Sequence, residues 1–209
     1  GGSVENCGFN GQIGSFDSGV DNSGGLCGTI NKGSFINCFT IFDNGGYTWT
    51  QANQVGGLIG VVNDKAEIVV KNCYSFPQIS VDLSSSNLNL HCIVGLDDHK
   101  EDPKRVYESC YCYENAFGKG VTSSSTTLDF FLYYKDKHKL LIASCDFMRS
   151  GCLAEILSDY HNANLVGPNQ WREDVEFQND TLPVLRFMVD ELYDVDPFCH
   201  PGIYTLSHS

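Results

Sequence analysis

Hydrophobic and polar positions recur in blocks along the first half of the chain. The block GGLCGTINKGSFINCF, Gly24 to Phe39, returns as GGLIGVVNDKAEIVVKNCY from Gly56 to Tyr74. Its second half opens the chain as GSVENCGF, Gly2 to Phe9. An eroded copy starts at CIVG (Cys92 to Gly95) and ends at YESCY (Tyr107 to Tyr111). Aligned on the late cysteine, the copies sit at Cys7, Cys38, Cys73 and Cys110, at spacings of 31, 35 and 37 residues. A period of this size marks a solenoid, propeller or array. Three residues before the cysteine stand Val4, Phe35, Val70 and Tyr107; directly before it stand Asn6, Asn37, Asn72 and Ser109. In a straight strand an offset of three puts two residues on opposite faces. The Asn between them therefore predicts a bend, after which the cysteine again points inward. Asn side chains stacked at one bend can hydrogen-bond along the stack. Upstream, Leu26 and Leu58 form one column and Cys27, Ile59 and Val94 the next, with glycines permitting turns and close approach.

Between copies the pattern predicts loops at Asp43–Gln54 and Ser84–Asn89, and a charged excursion, DDHKEDPKR, from Asp97 to Arg105. Gly118 to Thr127 reads as a turn-rich connection. Leu128 to Tyr134 and Leu140 to Ser144 read as a strand pair or hairpin. Asp146 is placed to cap a helix from Phe147 to Tyr160, whose apolar face is Phe147, Leu153, Ile156, Leu157 and Tyr160. Trp171 follows, then a short buried strand from Leu182 to Phe187.

G-G-L-x-G, then N, then G-S-hydrophobic-x-N-C-aromatic resembles the GLUG repeat of cell-surface and secreted proteins, bacterial adhesin-like proteins among them. The resemblance is full at Gly24–Phe39 and Gly56–Tyr74 and partial at Gly2–Phe9. At Cys92–Tyr113 both early glycines are replaced, by His91 and Cys92. It implies a right-handed parallel β-solenoid. Met148, Leu153, Leu157, Trp171 and Pro183–Leu185 resemble the segment that often follows such arrays, where a helix and a last strand cover the final rung. A solenoid end exposes strand edges and core, so it must be covered. Leu128 to Cys145 lies outside that pattern and reads as an insertion. The expected fold is mainly β: GLUG-like solenoid repeats over 1–117, an α+β cap with the hairpin insertion over 118–192, and a tail over 193–209.

Composition narrows the function. The chain of 209 residues carries 13 Lys+Arg against 26 Asp+Glu, a net charge of −13. Nucleic acid and anionic membranes select clustered basic residues, and the densest basic run here is the short KDKHK, Lys135 to Lys139. No apolar run approaches the roughly 20 residues of a membrane span. Ten cysteines favour an oxidising compartment. The chain opens in mid-repeat, as a mature or cropped piece of something longer would.

Candidate chemistry is sparse. Cys7, Cys38, Cys73 and Cys110 read as a buried column of thiols, with disulfides or metal ligation as the alternatives. Cys27, Cys92, Cys112, Cys145, Cys152 and Cys199 are the better candidates for bridges. Cys110-x-Cys112 and Cys199-His200 lack the second spaced pair of a zinc site. Asp97, Asp98, Glu101 and Asp102, and Asp190, Glu191, Asp194 and Asp196, do not follow the spacing of a calcium loop and read as solvated loops. HExxH and GxSxG are absent, so the peptidase activity of some GLUG-bearing chains does not carry over. Asn179 heads the one N-glycosylation sequon. Tyr47, Trp49, Tyr133 and Tyr134 are candidate partner contacts on loops, with packing across the loops as the alternative. Thr48-Trp49-Thr50 matches one rung of an ice-binding array, with no second copy.

The expected function is a non-catalytic structural or adhesive module, extracellular or at the cell surface, without cofactor or metal. It would bind a partner protein, a glycan or copies of itself as part of a larger assembly. The alternatives are a polysaccharide-acting enzyme on a β-helix scaffold and a subunit of an extracellular filament, docking through its N-terminal rung.

Overall fold

The structure is a computed structural model describing residues 2–13, 20–49, 52–81, 88–91, 93–97, 102–113, 140–174 and 181–185. It is mainly β. The strands are β1 (Gly2–Glu5), β2 (Gly8–Gln12), β3 (Val20–Asp21), β4 (Cys27–Ile36), β5 (Phe39–Trp49), β6 (Ala52–Gly56), β7 (Ile59–Val81), β8 (Leu88–His91), β9 (Val94–Asp97), β10 (Arg105–Tyr113), β11 (Leu140–Ala143), β12 (Trp171–Arg172) and β13 (Val184–Leu185). Two helices follow β11: α1 (Cys145–Arg149) and α2 (Cys152–Asn164).

The larger sheet is parallel, in the order β1-β4-β7-β10-β11, with β2 on β5 and both β5 and β9 on β7. A second parallel sheet runs β3-β6-β8. Each strand thus lies beside its own copy one repeat later. Gly2 pairs with Gly33, Val4 with Phe35, Phe35 with Val70 and Val70 with Tyr107. Cys27, Ile59 and Val94 stand in one further row. The repeat alignment read from the sequence is the hydrogen-bond register.

The bend forms where the Asn predicts it. Asn6, Asn37, Asn72 and Ser109 all have positive φ, between 50° and 55°. Asn tolerates this left-handed conformation better than other non-glycine residues, and the turn resets the alternation. Phe35, Val70 and Tyr107 and the thiols of Cys38, Cys73 and Cys110 therefore enter one core, together with Val55, Leu58, Leu90 and Ile93 from the second sheet and its turns. Close approach of neighbouring chains requires glycine at Gly56, where a Cβ would collide with the backbone of Ile59 and Gly95.

A second core lies on the outer face of the larger sheet. Phe39, Tyr74 and Tyr111, the residues after Cys38, Cys73 and Cys110, meet Met148, Leu153 and Leu157 of the helices, Trp171 of β12, Leu182, and Leu185 of β13. Phe39 and Tyr74 stack at 5.2 Å between ring centroids, and Trp171 leans on Tyr74 at 5.6 Å. The Tyr74 hydroxyl donates to the Pro183 carbonyl at 2.6 Å.

Several expectations change. The helix and last strand cover the side of the stack across three repeats, and not only its final rung. The aromatic column after the cysteines demands this, since it faces away from the inner core. The helix is two helices broken at Ser150–Gly151, with Gly151 at φ 79°. Its cap is Ser144, which accepts from the Phe147 amide at 3.2 Å, and not Asp146. Leu140–Ala143 is a strand as expected, and it also pairs parallel with β10, Cys110 opposite Leu140. Leu128–Tyr134 lies outside the described residues. Asp43–Trp49 is not a loop but part of β5, paired with β7.

Candidate functional site

The most organised polar feature is an amide ladder along the bends. Asn37 Nδ2 donates to Asn6 Oδ1 at 3.0 Å, and Asn72 Nδ2 to Asn37 Oδ1 at 2.8 Å. Each of these amides sends its second hydrogen to α2. Asn72 Nδ2 reaches the Leu157 carbonyl at 2.8 Å, and Asn37 Nδ2 the His161 Nδ1 at 3.1 Å. His161 Nε2 lies 3.1 Å from the Gly167 carbonyl, so the network assigns the ring proton to Nε2. The two helix acceptors are four residues apart. Four helical residues rise about 6 Å, near the ~4.8 Å between strands, which lets one helix serve successive bends. The ladder stops at Ser109: Asn72 Oδ1 is buried without a donor.

The thiols run beside it. Cys38 Sγ lies 3.3 Å from the Ile36 carbonyl, Cys73 Sγ 3.1 Å from that of Lys71 and Cys110 Sγ 3.4 Å from that of Glu108. All three are free and buried, and Cys7, at the end of the column, is free and exposed. Burial pushes the Cys73 thiol well above its ordinary pKa. Of the six cysteines expected as candidates for bridges, Cys27, Cys145 and Cys152 are free thiols, a correction: each is only partly buried and none is bonded to sulfur. Among the described cysteines Cys112 is disulfide-bonded. Cys92 and Cys199 lie outside the described residues.

Charge is paired across strands. Glu67 bridges Lys32 at 2.6 Å and Lys104 at 2.8 Å. Hydrogen bonds from these two ammonium groups, Lys104 first, hold the Glu67 carboxyl down at about 2. Glu108 meets Lys71 at 3.1 Å and accepts from the Tyr160 hydroxyl at 2.5 Å. Burial, then Glu108, pushes the Tyr160 hydroxyl up.

Sequence reasoning missed one buried ion pair. Asp97 and Arg105, the two ends of the charged excursion, are not solvated: both side chains are fully buried, with Arg105 Nε 3.3 Å from Asp97 Oδ1. The Tyr107 hydroxyl donates to Asp97 Oδ2 at 2.7 Å, and Arg105 Nη2 to the Asn63 and Asp64 carbonyls at 2.7 and 3.2 Å. The excursion leaves between Asp97 and Arg105, whose backbones stand opposite Val62 and Ile68 of β7, so both residues sit at core positions. A carboxylate and guanidinium held this way tie the end of β9 to the start of β10. Acid–base work on a substrate would require Asp97 to give up its partners.

Tyr47 and Trp49 lie in β5, and their side chains are outside the described set; Tyr133, Tyr134 and Asn179 lie outside the described residues altogether. Among the described residues no group of three His, Cys, Asp or Glu side chains is placed to hold a metal ion. No described helix is long and apolar enough to cross a membrane. Compared with known proteins, the chain matches no family model, no curated protein and no solved structure.

Proposed function

We propose that the repeats close into a right-handed parallel β-solenoid and that the chain is a non-catalytic structural or adhesive module. It works outside the cell or at its surface, packing against a partner protein, a glycan or copies of itself within a larger assembly. The solenoid is supported by the two sheets, which take strands from the same repeats in the same order, β1 and β2 then β3, β4 and β5 then β6, β7 then β8. The GLUG-like motifs support it independently. The location rests on that resemblance, since the free thiols of the described residues lend the cysteine count little weight.

The observation that carries the structural role is where the polar chemistry goes. Asn37 and Asn72 bond to each other, to Asn6 and to α2; Thr40 Oγ1 donates to Ser75 Oγ at 2.9 Å; Glu67 joins Lys32 and Lys104. These groups hold one repeat to the next, as a scaffold requires. The test is a glycan array run beside a reducing-end assay on the same polysaccharides. Retention without new reducing ends assigns a glycan-binding module, and no retention leaves a protein partner or self-assembly. Release of reducing ends would overturn the non-catalytic reading in favour of a polysaccharide-acting enzyme.

A further inference from the structure

Thr40, Ser75 and Cys112 stand in one row of the larger sheet. A second row runs through the glycine turns. Gly24 lies beside Gly56, Gly56 beside His91 and Ile59 beside Val94. The Gly25 amide donates to the Gly57 carbonyl at 3.0 Å, and those of Gly57 and Leu58 to the His91 and Ile93 carbonyls at 3.1 and 2.9 Å. The row one position along is therefore Gly25, Gly57 and the position of Cys92. The two rows face each other. A Cβ added at Gly25 would lie 2.8 Å from Thr40 Cβ, and Thr40 Oγ1 donates to the Gly57 carbonyl at 2.9 Å. In the last repeat both facing positions change together: Cys92 takes the glycine position, and Cys112 takes that of Thr40 and Ser75.

Cys112 is disulfide-bonded and fully buried in the inner core, in the same cluster as Ile93. Every other described cysteine is a free thiol, which leaves Cys92 and Cys199. We infer that Cys112 is bonded to Cys92, across the interior of one coil. Two unbonded side chains do not fit between rows this close, whereas a disulfide holds its Cβ atoms about 3.5–4.5 Å apart and asks for the least widening. The bond also accounts for the eroded motif, since Cys92 stands where the fuller copies keep a glycine. Its formation takes two protons and two electrons from the two thiols; the electrons reduce the disulfide of an oxidant, a small-molecule or protein disulfide, to two thiols. Such oxidants prevail outside the reducing cytosol, so the bond gives the proposed location a support separate from the GLUG resemblance. The ring it closes holds β9, most of β10 and the buried Asp97–Arg105 pair. Oxidation therefore fixes the coil from which the charged excursion leaves. The inference rests on the coil proposed above, in which one turn of chain joins the two sheets.

The test is peptide mapping without reduction. The full chain is incubated with oxidised glutathione, its remaining thiols are alkylated in denaturant, and the digest is read by mass spectrometry. The expected product is a pair of peptides joined through Cys92 and Cys112 that separates on reduction. Cys92→Ala, Cys112→Ala and the double variant should each lower the urea midpoint, the double no further than the more damaging single variant, as loss of one shared bond requires. Additive losses would overturn the shared bond. NOEs between the Thr40 methyl and Gly25 are sought in the same protein, since that contact belongs to the coil and not to the disulfide. With those NOEs present, an alkylated Cys92, or Cys112 joined to Cys199, overturns the inference alone. With the NOEs absent and no Cys92–Cys112 pair, the closed coil proposed above falls with it.

Discussion

Asn72 Nδ2 lies 2.8 Å from the carbonyl oxygen of Leu157, and this bond ties a bend of the sheet to the helix that covers it. The same nitrogen donates to Asn37 Oδ1. Side chain and backbone both depend on this residue, for Asn72 is fully buried and has φ 55°. Asn72→Leu takes the donor from the buried Asn37 Oδ1, about 1–3 kcal/mol, and puts a γ-branched residue in the left-handed region at about 1–2 kcal/mol. Asn72→Gly removes the bonds without the strain. Urea unfolding should place the glycine variant between wild type and the leucine variant. Equal midpoints for the two variants would sink the argument from φ.

The orphaned Asn72 Oδ1 points to a stabilising change. Ser109 stands at the next bend, buried and at φ 50°. Ser109→Asn supplies the missing donor in a conformation that Asn accepts, and should raise stability by about 0.5–1.5 kcal/mol, the net worth of one hydrogen bond. A lower denaturation midpoint would show that the ladder cannot be extended there.

Leu157 is fully buried among Phe39, Tyr74, Met148 and Trp171. Leu157→Ala should cost about 2–5 kcal/mol, as emptied leucine sites do. An unchanged melting curve would mean that α2 does not hold the outer face.

Glu67 gives a pH signature. Its carboxyl is depressed in the folded chain, so its contribution to stability is complete above the ordinary carboxylate range and is lost as pH falls through about 2. The bridges lie open to solvent, so salt should weaken the effect. Carboxyl-carbon NMR should place the Glu67 midpoint near 2 in the wild type and return it toward the usual range in the Lys32→Ala, Lys104→Ala double variant. An ordinary midpoint in the wild type would contradict the bridged geometry.

The columns were legible because one spacing controls both the pattern and the register: Val4, Phe35, Val70 and Tyr107 align in the sequence as they pair in the sheet. The Asn bends were legible for the same reason, since only a turn reconciles an apolar residue and a cysteine three apart. Asp97 and Arg105 were hidden because a run of charges normally lies in water. Their register opposite Val62 and Ile68 was the available signal. The parallel pairing of Leu140 with Cys110 had a signal as well, since the two stand 30 residues apart, close to the repeat period. The break at Ser150–Gly151 was written in the glycine itself and overridden by helical periodicity. That the helix covers the side of the stack follows from the Phe39, Tyr74 and Tyr111 column, which sequence alone does not connect to Leu153 and Leu157.

The stacking order of the bends is tested most directly by side-chain amide NOEs in a chain labelled at asparagine. The account predicts cross-peaks from Asn37 to Asn6 and from Asn72 to Asn37, none from Asn72 to Asn6, and slow solvent exchange at the Asn72 amide. Rapid exchange at Asn72, or an NOE chain in any other order, would contradict the register on which the fold and its proposed role both depend.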